Sequence, residues 1–137
     1  FDNYRPILLK VSPDLSHQQL DDIIDYCLRS GIDGIVAGNT TRSRDGITSI
    51  SKEKIEAIGN GGMSGAPLYS KNLELVKYVH AKSEGKLPII GVGGIMSPEQ
   101  AKEMMDAGAS LVEIYSGFIY EGPALIKNIN KHLENTL

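Results

Sequence analysis

The chain contains one cysteine, Cys27, so no internal disulfide can cross-link it, and the residues around Cys27 lack metal-ligand spacing. Its place in an amphipathic stretch reads as a packed core thiol rather than a nucleophile, and no metal site is expected. No apolar run approaches the roughly 20 residues that a membrane-spanning helix needs, and no charged leader followed by an apolar segment suggests secretion. Basic residues are not clustered, and the formal net charge is -3, which argues against general affinity for nucleic acid. What remains, with 41% hydrophobic and 23% charged residues, is the composition of a soluble globular domain, expected in the cytoplasm.

Glycine is what the chain has in quantity, and its placement is informative. Pro88-Ile89-Ile90-Gly91-Val92-Gly93-Gly94-Ile95 reads as a buried parallel strand ending in glycines, where a missing Cβ lets backbone N–H groups approach an anion. A helix follows, and then Leu111-Val112-Glu113-Ile114-Tyr115-Ser116-Gly117 repeats the theme of an apolar strand with a polar end. Phosphate grips of this kind are built by the loops after the last two strands of a (β/α)8 barrel, a fold that takes about 250 residues. At 137 residues, with an abrupt start at Phe1, the expectation is a fragment: one partial domain over residues 1–137, in the α/β class, forming the C-terminal half of such a barrel.

The rest of the chain repeats the strand-helix unit. Ile7-Leu8-Leu9 is a short continuous apolar run suited to a strand covered on both faces. Ser16 to Gln19 supplies a capping box, and Leu20, Ile23, Ile24, Cys27 and Leu28 recur at helical spacing until Gly31. Ile32 to Ala37 returns as a strand. The polar stretch from Arg42 to Tyr69 predicts at most one short helix, with Ile55 and Ile58 facing inward, and its length marks it as functional. A helix from about Ser70 buries Leu73, Val76 and Val79, and the strand near Pro88 to Val92 follows. Ser97, Pro98 and Gln100 then supply an N-cap, a first-turn proline and the third residue of a capping box for a helix burying Ala101, Met104 and Met105. A last helix from about Pro123 to Leu133 buries Leu125, Ile126, Ile129 and Leu133. The count is roughly four βα units with parallel strands.

Polar residues stand repeatedly where these strands end, and in a parallel barrel all such ends open on one face. Each has a plain structural alternative. Lys10 serves equally as a solvated terminus or an ion-pair partner. Asn39 and Thr40 suit a turn cap, since short polar side chains satisfy local backbone groups. Gly61, Gly62 and Gly65 can be loop flexibility alone.

The combination is more specific than its parts. Lys10 within Leu-Leu-Lys-Val-Ser-Pro-Asp-Leu, then Asn39-Thr40-Thr41, Gly61-Gly62-Met63-Ser64-Gly65-Ala66-Pro67-Leu68, the Gly93-Gly94 strand, and Tyr115-Ser116-Gly117-Phe118-Ile119-Tyr120-Glu121-Gly122-Pro123 occur in one order and spacing. Over nearly its whole length the chain resembles the C-terminal half of dihydroorotate dehydrogenases, the FMN enzymes of pyrimidine synthesis, and its Tyr-Ser-Gly-Phe-Ile-Tyr ending resembles the quinone-using class 2.

That resemblance implies FMN as cofactor, dihydroorotate or orotate and a quinone as partners, and a parent enzyme peripheral on the cytoplasmic membrane. By matching motif, Lys10, Gly65, Gly94, Tyr115 and Ser116 correspond to cofactor-binding positions, with the last three around the phosphate, and Asn39 and Thr40 to substrate-binding positions. Gly38 departs from the pattern, because a threonine commonly stands there beside the flavin. The family's catalytic serine base belongs to the preceding half, so no catalytic residue is expected within this chain, and His17, His80 and His132 fall in or beside helices rather than at strand ends. The fragment itself is expected to be inactive. Two other readings stay open: a phosphate-gripping barrel synthase or isomerase, and a half-barrel that self-associates through exposed edges.

Overall fold

The computed structural model describes residues 3–45 and 47–136. Four short strands, β1 (Leu8–Val11), β2 (Gly34–Ala37), β3 (Ile89–Val92) and β4 (Leu111–Glu113), pair in parallel in the order in which they occur along the chain. Helices follow each of them. α1 (His17–Ser30) links β1 to β2, and α2 (Lys52–Ile58) and α3 (Tyr69–Lys82) link β2 to β3. α4 (Pro98–Asp106) precedes β4, and α5 (Ser116–Glu121) and α6 (Pro123–Glu134) complete the chain. Parallel pairing requires such crossovers, because a tight turn can only reverse a strand.

Register explains the burial. Lys10, Val36, Ile90 and Leu111 lie in one row across the sheet and so share a face, while Leu9, Ile35 and Ile89 form the neighbouring row on the opposite face. The second face is the helix-covered one: Ile35, Ala37 and Ile89 are wholly buried, together with Ile24 and Cys27 of α1, Val76 and Val79 of α3, and Ala101 and Met104 of α4. The first face is partly open, with Leu111 62% exposed. Cys27 is the core thiol expected, and burial pushes its pKa up, away from nucleophilic chemistry.

The helix ends follow their sequence signals. Ser16 caps α1 in a reciprocal box with Gln19, and Gly31 closes it at φ 77°. Ser97 caps α4 by accepting from the Gln100 amide, but the Gln100 side chain reaches one residue further back and accepts from the Met96 N–H instead of closing a box.

Other expectations need correcting. β1 is not covered on both faces: Ile7 is 63% exposed and Leu8 and Leu9 more than a third, because β1 is an edge strand with a neighbour on one side only. α2 exists but buries no residue fully: Ile55 is half-buried and Ile58 faces solvent, because no residue of this seven-residue helix joins the hydrophobic core. Met105 is only partly buried. On α6, Leu125 and Ile129 meet α4 whereas Ile126 is exposed, since residues one apart point about 100° apart around a helix axis. Leu133 is partly buried. α5 was not anticipated: the polar residues after β4 turn directly into helix.

Because Ile35 is completely enclosed in the second row, we expect Ile35→Ala to lower unfolding stability by about 2–5 kcal/mol in chemical denaturation. Leu111→Ala on the open face is expected to cost about 1 kcal/mol or less.

Candidate functional site

All four strand exits open on one cavity of about 260 Å³. Its wall includes each of the seven residues singled out from the sequence: Lys10 from β1, Asn39 and Thr40 after β2, Gly65 from the glycine-rich loop, Gly94 after β3, and Tyr115 and Ser116 after β4. The structure therefore brings the complete set together although it spans more than a hundred positions of sequence. Ser64, Gly93 and Glu113 also reach the wall, as do Gly38 and the apolar side chains of Leu68, Val92 and Ile95. Gly93 belongs to the glycine strand end read from the sequence, whereas Ser64 and Glu113 were not singled out there. Ser64 stands within 3.3 Å, oxygen to oxygen, of the Ser116 hydroxyl, which joins the glycine-rich loop to the start of α5. Glu113 lies in the β4 row beside Val92, on the same face of the sheet as the cavity.

Three glycines of the wall, Gly38, Gly93 and Gly94, leave no room for a Cβ, whereas Gly65 has room but sits at a left-handed φ of 83°. A Cβ on Gly94 would lie 2.4 Å from the Tyr69 amide nitrogen, and its φ of 77° is left-handed, so the turn after β3 packs directly on the backbone that begins α3. That α3 terminus is itself pinned. The single Tyr69 O–H is shared between the Glu103 carboxylate at 2.7 Å and the Gln100 carbonyl at 3.0 Å, and burial, then the hydrogen bond to Glu103 and its charge, raises its pKa.

The loops of the rim are fastened to one another. Thr41 and Met63 exchange backbone hydrogen bonds of 3.1 and 2.7 Å in an isolated antiparallel bridge, which lays the glycine-rich loop along the exit of β2. Gly62 meets the Thr40 side chain so closely that a Cβ there would fall 2.0 Å from its hydroxyl oxygen. Asn39 uses its carbonyl oxygen to accept from the Thr40 N–H at 2.8 Å, so its turn-capping use is realised while it stands on the cavity wall. No hydrogen bond occupies its amide nitrogen among the described residues. The histidines lie elsewhere: His17 stacks on Tyr78 between α1 and α3 with ring centroids 4.4 Å apart, and His80 and His132 belong to α3 and α6.

Asp14, which sequence reasoning passed over, is the electrostatic anchor of the rim. It accepts from the Thr41 hydroxyl at 2.5 Å, the Arg42 amide at 2.7 Å and the Lys71 ammonium at 2.6 Å, tying the β1 exit to the β2 exit and to α3. Desolvation raises its pKa, but the hydrogen bonds from Lys71, Thr41 and the Arg42 amide, with the Lys71 charge, outweigh it and hold the carboxyl at about 2. A folded pKa below the unfolded value of 3.8 means that Asp14 stabilises the fold above that value and loses its contribution as pH falls toward 2. Allowing for its partial exposure, we expect Asp14→Asn to cost about 1–2 kcal/mol at pH 7. The gap to the native chain should close between pH 4 and pH 2 in urea denaturation series, and a gap independent of pH would refute this role.

A family profile for dihydroorotate dehydrogenase matches residues 2–137. The chain is 50% identical over 129 residues to the dihydroorotate dehydrogenase (quinone) of Christiangramia forsetii, covering 94% of this chain and 36% of that protein. It is 45% identical over 123 residues to the protein of the same name from Salinispora arenicola, covering 90% and 36% respectively. Among solved structures, a dihydroorotate dehydrogenase from Eimeria tenella in complex with ferulenol superposes with a TM-score of 0.86 at 34% identity, over 96% of this chain and 34% of the other. The ligand-free form of that protein gives 0.85 at 35% identity. The chain thus spans about a third of the length of the relatives it matches, and the four parallel βα units are part of a barrel. Matched from residue 2 to its last residue, the chain belongs to the dihydroorotate dehydrogenase family.

Proposed function

We propose that this chain supplies the cofactor-phosphate end and part of the substrate site of a quinone-dependent dihydroorotate dehydrogenase, in which dihydroorotate is oxidised to orotate in pyrimidine synthesis. The observation that carries the proposal is the meeting of Lys10, Asn39, Thr40, Gly65, Gly94, Tyr115 and Ser116 around one cavity. Family membership implies a flavin, and FMN is the form that suits this site. A wall of close-packed glycine backbone at Gly94, flanked by the Ser116 hydroxyl, offers small peptide and hydroxyl donors of the kind that hold a phosphate.

A flavin held here would supply the hydride acceptor for dihydroorotate and a carrier of the two electrons onward to a quinone. The residues of this chain prepare that exchange. Lys10 brings an ammonium to the cavity from the edge strand β1, and a cation there would stabilise negative charge that builds up on a reduced flavin. Asn39 and Thr40 present an amide nitrogen and a hydroxyl to the carbonyl and N–H edges of an orotate ring. Asp14 keeps their loop in place from the far side. By the family resemblance, removal of the substrate proton falls to a base in the part of the relatives that this chain does not cover, and none of its histidines lies on the cavity. Association of the parent enzyme with the cytoplasmic membrane is part of the same proposal; among the described residues no helix is long and apolar enough to cross a membrane.

The open face of the sheet gives the self-association reading one specific observation, because Leu111 and the β1 edge lie uncovered. We assign that face to the remaining two-thirds of a full-length enzyme. Sedimentation of the isolated chain is expected to show concentration-dependent association that disappears when the rest of a relative is supplied.

The direct test is a chimera in which this chain replaces the matching third of the Christiangramia forsetii enzyme. It should purify yellow and reduce a quinone with dihydroorotate, and Lys10→Ala in it should lower kcat by roughly 100-fold. A colourless chimera, or an isolated chain as active as a complete enzyme, would overturn the proposal. A barrel synthase or isomerase acting on sugar phosphates would give no flavin absorbance.

A further inference from the structure

Asn72 is an anomaly in α3. It is completely buried among Leu73, Leu75 and Val76, yet it is polar, and its Oδ1 has no hydrogen-bond partner among the described residues. Its Nδ2 donates to the Val92 carbonyl at 2.8 Å, the same carbonyl that accepts the Gly38 N–H at 3.1 Å. An orphaned buried acceptor destabilises a fold, so the hydrogen bond to Val92 does not by itself account for an asparagine here.

Shape accounts for it. A Cβ on Gly38 would lie 2.6 Å from the Asn72 Oδ1 and 2.9 Å from Leu75 Cδ2, and a Cβ on Gly93 would lie 2.1 Å from the Asn72 Nδ2. The carboxamide is therefore wedged behind two glycines of the cavity wall and fills the space that a side chain at either would need. It cannot swing aside to admit one, because Gly93 blocks it on one edge and the bond to Val92 holds it. A side chain at position 38 would point toward α3 and not into the cavity.

We propose that Asn72 is a positioning residue of the site: standing behind the wall, it takes the volume of a side chain at position 38 and spaces the β2 and β3 exits, so that the peptide wall at positions 38 and 93 is held in place from α3. Gly38 and Asn72 are thus a matched pair, and the departure from threonine at position 38 is compensated from α3. A ligand lying against this wall meets peptide groups. What the wall faces rests on the flavin reading; the pairing does not, and its test uses the chain without any ligand.

The test is a double-mutant cycle of Gly38→Thr, Asn72→Ser and the two combined, read by thermal unfolding. Gly38→Thr alone is expected to lower Tm by about 5 °C or more, or to prevent folding. In the Asn72→Ser background the same change should cost less than half as much, or restore a folded chain. Equal costs in both backgrounds, or a double variant no better folded than Gly38→Thr, would overturn the pairing. Amide hydrogen exchange separates positioning from simple stability. In Asn72→Ser the Gly38, Gly93 and Gly94 amides should exchange about tenfold faster relative to the Ile35 amide, which bonds the Pro88 carbonyl at 2.9 Å. A uniform change across the chain would refute the positioning role.

Discussion

Parallel pairing in sequence order is the constraint from which the rest of this structure follows. Because Lys10, Val36, Ile90 and Leu111 are held in one row, the strands all point the same way and every β-to-α turn leaves from the same edge of the sheet. Residues that are tens of positions apart in the chain then share a cavity without any direct contact having selected them. The same register divides the faces: one is sealed by α1, α3 and α4 and provides the hydrophobic stability, while the other stays open and can carry a lysine.

A rim assembled from four separate turns has to be held at its loops as well as at its strands. Three kinds of fastening do this. Backbone bonds join Thr41 to Met63, glycines at 62 and 94 allow backbones and side chains to approach closer than a Cβ would permit, and the Asp14 carboxylate, after β1, gathers donors from the turn after β2 and from α3. The carboxylate is the strongest single tie because its partners include a cation and it remains only partly exposed to competing water. Asn72 belongs to the same layer of support, acting through volume more than through hydrogen bonding.

The legible part of the fold was the part written in local periodicity. The α1 stripe of Leu20, Ile24 and Cys27, the serine caps at 16 and 97, and the apolar runs ending at Ala37 and Val92 depend on neighbours within a few residues. Errors arose where burial depends on what lies opposite. Ile7 to Leu9 has the composition of an enclosed strand but stands at a sheet edge, and Ile58 and Ile126 are apolar at helical spacing but have no facing partner. α5 was missed because six residues are too few for a periodic pattern.

The site shows the same division. Sequence by itself determined the glycine endings and the polar residues after each strand, and their order carried the family resemblance, because these features are fixed by the identity of a residue and its immediate backbone. Only the tertiary structure decided that the seven residues share one cavity, that Asp14 anchors the rim, and that Asn72 fills the space behind Gly38. Those facts depend on distances between segments 27 to 57 positions apart, as with Asp14 and its partners Thr41 and Lys71, and such distances exist only once the sheet has set its register.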